Sequence, residues 1–309
     1  MKSGHVLVSR CLIPMLALGL AAGCAGDEEP GPGDGPPPGY VRYEADPVTV
    51  EPGQNGQWLH WVAEPADVER SIVDIVGAQG TGGHHAILYT SADLQPVGTT
   101  RVFENADQSD LQFVGGVGGE GGDSLKLPPG VVFRVPAGRA LVIQSHFLNA
   151  TDAPVVGTSR VDVKFAEPSA DDIVARFFAQ STGRLEVPPA LSQRDAICVL
   201  PKDLPMLMFA NHMHEMGTSI ATTITAPGGA PQMIRDDPSW QDEYTFNPVF
   251  TRATPDQPIV LAAGSTLTTH CEWNNTGSET LSQPDEMCVF FGFFLGERDA
   301  ACGDGHWRE

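Results

Sequence analysis

Glycine and proline punctuate this chain from end to end without any repeat period, 34 and 26 of its 309 residues. Such punctuation breaks helices and suits short strands joined by tight turns, so a helical bundle is excluded and an all-β chain is expected. The runs between the turns agree. Arg139–Phe147, Thr158–Phe165, Thr218–Thr225 and Met287–Leu295 are short and rich in β-forming residues, and several alternate apolar with polar positions, as strands with one buried face do. With 41% hydrophobic and 18% charged residues, the chain can bury sizeable cores. The acidic, Pro-containing stretch 166–172 is the best internal boundary. It divides the folded part into two β-sandwich domains, about 40–167 and about 173–302.

The N-terminus reads as an address rather than structure. Lys2 and Arg10 precede a short apolar run from Leu12 to Ala22, then Gly23 and Cys24. The run is too short to span a bilayer and has signal-peptide anatomy. Small residues directly before a cysteine resemble a bacterial lipobox, although Ala21 stands where leucine is commonest. Residues 1–23 are therefore expected to be a lipoprotein signal peptide and Cys24 the lipidated first residue of an exported, membrane-anchored protein. The alternative is ordinary cleavage nearby, which releases a free secreted product. Residues 24–39, dense in Pro, Gly and acid, read as a disordered tether. Elsewhere no apolar run approaches membrane-spanning length, so the lipid is the expected membrane contact.

Formal net charge is −21, and loss of the signal peptide deepens it. Such a surface repels phosphate backbones, so nucleic-acid binding is excluded. The remaining cysteines, Cys198, Cys271, Cys288 and Cys302, all lie in the second half. In an oxidising compartment four cysteines make two disulfides, with three pairings open. Gly116–Gly121 matches GxGxxG in form, but the following Asp-Ser-Leu-Lys-Leu-Pro-Pro-Gly cannot open a helix. It reads as a flexible loop, not a dinucleotide site. Asn149-Ala-Thr151 and Asn274-Asn-Thr276 match the glycosylation triplet and read as ordinary turns.

Chemistry concentrates in the histidines. His84 and His85 are adjacent and follow Gly82-Gly83. Neighbours in a regular strand point to opposite faces, so both can serve one site only if the strand bends, which the glycines permit. His146 lies on a strand of the same half, so the three can converge. A three-imidazole site without thiolate suits copper or zinc. In the second half, His212-Met213-His214 places two rings on one strand face. Met287, in Asp285-Glu286-Met287-Cys288, is a candidate third ligand, and a thioether selects Cu(I). His5, His60, His270 and His306 have no such context.

On these residues the chain resembles the copper type II, ascorbate-dependent monooxygenases, the family of peptidylglycine alpha-hydroxylating monooxygenase and dopamine beta-monooxygenase. The likeness runs over about residues 50–302. It implies a first copper held by His84, His85 and His146, with Gln144 on a possible electron path. It implies a second, catalytic copper held by His212, His214 and Met287. The family's second-domain disulfides map as Cys198–Cys302 and Cys271–Cys288, and the second bridge would pin Met287. The implied fold is two consecutive antiparallel jelly-roll sandwiches flanking a solvent-filled cleft. Two copper ions per chain, O2, and ascorbate or another one-electron reductant are the implied cofactors and co-substrates.

The departures bear on substrate. Where the peptide-processing member grips a carboxylate with Arg, Asn and Tyr, this chain has Ala210, Val289 and Phe291. A peptide carboxylate would lie unpaired there, so the expectation is C–H hydroxylation of a small, more apolar molecule rather than peptide amidation. The competing readings are a copper-binding or copper-handling lipoprotein without turnover, favoured by Met213 and Met216, and an adhesion sandwich whose histidines hold no metal.

Overall fold

A computed structural model describes residues 35–309, apart from 105, 106, 108, 109, 120–124 and 284 and the side chain of Phe246. The expected signal peptide, Cys24 and most of the tether lie outside the described residues.

The first half opens with β1 (Val41–Glu44), β2 (Val48–Val50), β3 (Asn55–Ala63), β4 (Arg70–Gln79) and β5 (Gly83–Ser91). It continues with β6 (Thr100–Val102), β7 (Gln112–Gly118), β8 (Val131–Val135), β9 (Ala140–Leu148), β10 (Val155–Gly157) and β11 (Ser159–Ala166). Pairing is nested: β3 with β9, β4 with β8, β5 with β7, all antiparallel. Nested pairs are those of one long two-stranded ribbon. The ribbon wraps onto itself where β5 also pairs with β9, which is the jelly-roll arrangement.

The second half repeats the plan. Its first elements are β12 (Ile173–Ser181), β13 (Ala190–Val199), β14 (Leu204–His212), β15 (Gly217–Thr225), β16 (Gln232–Asp237) and the single turn α1 (Glu243–Phe246). Then come β17 (Thr251–Arg252), β18 (Ile259–Leu261), β19 (Thr266–Asn275), β20 (Val289–Leu295), β21 (Ala300–Gly303) and β22 (His306–Arg308). Here β12 pairs with β20, β13 with β19, β14 with β18 and β15 with β16. The closing pairs are β14 with β20 and β15 with β19. The chain is thus all-β, built from antiparallel jelly-roll sandwiches.

The four expected strands appear as β9, β11, β15 and β20. The boundary stretch is the loop between β11 and β12, and Asp172 ties it down by accepting from Ser71 Oγ at 2.6 Å and Arg134 Nη2 at 3.0 Å. Across that loop the halves stay joined. β8 and β12 pair in parallel, Val131 with Ile173 and Val132 with Val174. One apolar core runs from Ile75, Leu88 and Phe133 of the first half to Ala175, Met208 and Phe293 of the second. Phe113 stacks on Phe177 at 5.0 Å, and Phe133 meets Phe293 edge-on at 5.4 Å. Parting the halves would expose such rings at about 1.5–3 kcal/mol each. Residues 36–309 accordingly form one compact unit.

The glycine-rich segment differs from its reading as a loop. Gly116–Gly118 are the last residues of β7, with Gly116 opposite Ile87 and Gly118 opposite His85. Glu120 and Gly121 lie outside the described residues. Gly115, at φ +152°, shows why glycine stands within this strand: a Cβ there would fall 1.8 Å from Ile75 Cδ1. Asn149 behaves as the expected turn residue; its buried amide donates to Val50 O at 2.8 Å and Ala153 O at 2.9 Å.

Two disulfides, Cys198–Cys302 and Cys271–Cys288, take the pairing that the resemblance implied. The first joins β13 to β21 and the second joins β19 to the residue just before β20, so both staple the second sandwich across its layers. Disulfides of this kind fit an oxidising compartment. Among the described residues, no helix is long and apolar enough to cross a membrane.

Candidate metal centre

The vicinal histidines share a site because β5 is bulged. Gly83 lies opposite Phe147 and His85 opposite His146, with the register shifting between Gly83 and His85. His84 is the extra residue, so its ring swings to the face that His85 and His146 already share. The bulge follows Gly82 at φ +78°, a left-handed conformation that glycine adopts without strain. Ring centroids of His84 lie 5.0 Å from His85 and 4.3 Å from His146. One nitrogen from each of the three falls within 4.8 Å of the others.

The second pair sits where β14 runs out. His212 is the last strand residue and His214 lies just beyond, with their Nε2 atoms 3.2 Å apart. Met213 between them points inward and is fully buried against Ile220, Trp240 and Trp273. His214 Nδ1 faces the Asp285 carbonyl at 3.1 Å, so that nitrogen carries the proton and Nε2 keeps its lone pair. A carbonyl behind an imidazole is a recurrent support for a metal ligand.

Glu286 holds the third candidate in place. Its carboxylate is fully buried, and Oε1 accepts the backbone N–H of both His214 (2.7 Å) and Met287 (2.8 Å). Oε2 accepts the N–H of Met216 at 3.1 Å. Burial pushes this carboxyl up, and the three backbone donors pull against it. One oxygen therefore holds the backbone of Met287 to that of His214, two residues ahead of Val289, which pairs with His212.

The two sets are in contact. His84 and His214 rings are 5.1 Å apart, and His146 and His214 6.3 Å. The resemblance implied a solvent-filled cleft between them; here five imidazoles form one cluster, because the shared phenylalanine core holds the halves together. All five rings are held below the ordinary imidazole range, first by burial. Neighbouring rings add to this at His84, His85, His146 and His212, while Asp285 opposes it at His214. His85 falls to about 3. Neutral rings keep the lone pairs that a metal needs.

The donor set fits a transition metal. Two bonds of about 2.0–2.1 Å place two ligand nitrogens roughly 2.9–3.4 Å apart for angles between a right angle and the tetrahedral value. The Nδ1 atoms of His84 and His85 are 2.9 Å apart, and the His212–His214 pair also falls in this range. Nδ1 of His146 is buried with no hydrogen-bond partner, as a nitrogen reserved for an ion would be. Gln144, two residues before His146 on β9, is buried and donates to Gln57 Oε1 at 2.5 Å.

The other described histidines lie elsewhere. His60 is core: its Nδ1 meets Thr100 Oγ1 at 3.0 Å, and burial lowers it to about 4. His270 bonds Asp195 and Glu272 on the outer sheet face; burial opposes its protonation, but the two carboxylates prevail and raise it. Asn55 and Asp285 were not singled out from sequence. Asn55 Oδ1 lies 2.5 Å from His146 Nε2, and Asn55 Nδ2 donates to Asp285 Oδ1 at 3.2 Å. Nothing in the pattern around Asn55 announces this.

No protein-family model and no curated protein matches the chain. Among solved structures it is similar to the major capsid protein P2 from bacteriophage PM2, at 11% identity over 82% of this chain and 97% of that one, with a TM-score of 0.34. It is also similar to PNGF-II, at 10% identity over 84% and 65%, TM-score 0.32. A third likeness is to an archaeal virus protein described by its triple jelly-roll fold and turret assembly, at 9% identity over 84% and 61%, TM-score 0.22. Likenesses this distant say nothing about function.

Proposed function

We propose that this chain is an exported copper-dependent monooxygenase that hydroxylates a C–H bond with O2 and a one-electron reductant such as ascorbate. The observation that carries the reading is the cluster of five imidazoles in two sets, His84/His85/His146 and His212/His214, with the Met287 backbone tied to that of His214 through Glu286. An all-imidazole set with a thioether nearby suits copper and disfavours magnesium or calcium. Copper, when bound, would supply one-electron redox chemistry and the activation of O2. The balance is R–H + O2 + 2 e⁻ + 2 H⁺ → R–OH + H2O, with both electrons from the reductant.

The chain's own residues do the rest. The first set holds one ion through nitrogens that burial keeps unprotonated. His212, His214 and Met287 hold the other, and the Glu286 carboxylate keeps the last two in register. The substrate side is apolar. Ala210 pairs with Phe291 and His212 with Val289, on one sheet face. Phe291 stands edge-on to His212 at 6.2 Å and touches Phe250 at 5.6 Å and Phe177 at 6.3 Å. Such a wall excludes water and leaves a charged substrate group unpaired. The proposed substrate is a small apolar molecule, and the proposed attachment is a lipid on Cys24.

A copper-handling protein without turnover is the rival. Its support from methionines weakens here, since Met213 is fully buried and Met216 packs against the same core. The test is copper per oxidised chain, followed by ascorbate-dependent O2 uptake with a panel of apolar substrates. About two coppers and uptake matched by hydroxylated product support the enzyme. Bound copper without coupled product supports the rival, and absence of bound copper removes both.

A further inference from the structure

We propose that Asn55 is a positioning residue that, with Asp285, straps the two ligand sets together and dictates which nitrogen His146 offers. The purpose of the strap rests on the copper reading; its hydrogen bonds do not.

One amide links the two sets. Asn55 begins β3, two residues before Gln57, which pairs with His146 on β9. Side chains at i and i+2 share a face, so the Asn55 amide reaches the His146 ring and its Oδ1 lies 2.5 Å from Nε2. An amide turned by 180° has the same shape, so its surroundings decide its orientation. Here they do. The Asp285 carboxylate only accepts, so the NH2 end must face it, at 3.2 Å. The Asn55 oxygen is thereby committed to His146. An oxygen there requires Nε2 to carry the proton, so Nδ1 is left with a bare lone pair. Nδ1 is the buried ring atom without a hydrogen-bond partner, in the ring that stands with His84 and His85.

The other end of the strap acts on the second set. The Asp285 carbonyl faces His214 Nδ1 at 3.1 Å, which commits that ring to the opposite tautomer and leaves Nε2 toward His212. The Asn55–Asp285 side-chain pair thus sets a Nδ1 donor at His146, and the Asp285 main chain sets a Nε2 donor at His214. The pair also crosses between β3 of the first half and the turn before β20 of the second.

The test is an exchange of the pair in the full mature chain. Asn55→Asp sets two carboxylates against each other. Asn55→Asp with Asp285→Asn restores both hydrogen bonds with the groups swapped. The first readout needs no metal: ring 15N shifts of the metal-free protein report the His146 tautomer. The strap expects Nε2–H in the wild type, a mixture in Asn55→Ala, and Nε2–H again in the exchanged double variant. The second readout is Cu(I) affinity by chelator competition. About 10- to 100-fold weakening is expected for Asn55→Asp, as for other residues that support ligands, with recovery in the double variant. Nδ1–H in the wild type, or a tautomer indifferent to Asn55→Ala, overturns the strap. If Asn55→Asp does not fold, the wild type and Asn55→Ala still decide the tautomer. A wild type that binds no copper yet shows the expected tautomers sinks the monooxygenase reading and leaves the strap standing.

Discussion

The rings of His84 and His214, one from each half of the chain, are 5.1 Å apart at an interplanar angle of 60°. Ligands in such contact cannot belong to independent sites. Replacing His212 and His214 by Ala is expected to lower copper from about two ions per chain to about one, and to change the Cu(II) electron paramagnetic resonance of the ion that remains. A residual spectrum identical to one component of the wild type would show the sets to be separate despite the contact.

The same burial makes the metal-free fold acid-sensitive. In the unfolded chain each imidazole takes up a proton below about pH 6.5; in the folded chain these rings resist, His85 down to about 3. The unfolded state therefore binds more protons as pH falls. Stability is full above about 6.5 and declines below it, by up to about 1.4 kcal/mol per pH unit for each ring. Glu286 and Asp299, raised by burial, and His270, raised by its carboxylates, act the other way. Five rings outweigh them. The Tm of the apo protein should be clearly lower at pH 5 than at pH 7.5, and flatter with pH in His84→Ala. A flat wild-type profile would mean that the rings are not held neutral.

The disulfides separate stability from the site. Cys198–Cys302 spans 104 residues and Cys271–Cys288 spans 17, so loop-closure entropy assigns about 4.7 and about 3 kcal/mol. Only the shorter one adjoins Met287. Replacing Cys198 and Cys302 by Ser should cost more in denaturant unfolding yet leave copper stoichiometry intact. Replacing Cys271 and Cys288 should cost less and weaken the second ion. The reverse pattern would detach the shorter bridge from the site.

Much of this was legible in residue order. Short β-rich runs between turn signals revealed β9, β11, β15 and β20, and Gly82-Gly83 before His84-His85 pointed to the bend that became a bulge. The glycines of β7 hid a strand; at Gly115 it is close approach by Ile75, not side-chain pattern, that decides the residue type. The contact of the two histidine sets was not legible. It depends on Phe113, Phe133, Phe177 and Phe293 meeting across the halves, and pairings between distant segments leave no local periodicity. Asn55 was hidden for the same reason, its partners lying on β9 and in the turn before β20.

Met287 and Phe291 should divide the proposed reaction between them. Met287→Ile keeps the bulk and the backbone N–H bonded to Glu286, so fold and substrate affinity should survive. Removing the thioether takes away a ligand that favours Cu(I), and kcat should fall more than about 100-fold with KM nearly unchanged. Phe291→Ala instead removes apolar wall beside His212. Losing about 1.5–3 kcal/mol of contact should raise KM for an apolar substrate roughly 10- to 100-fold, with copper stoichiometry unaltered. The split matters because a residue that only supports the fold would lower kcat together with Tm and copper content, without separating kcat from KM. Retained turnover in Met287→Ile would remove that residue from the site, and an unchanged KM in Phe291→Ala would place the substrate on another face of the cluster.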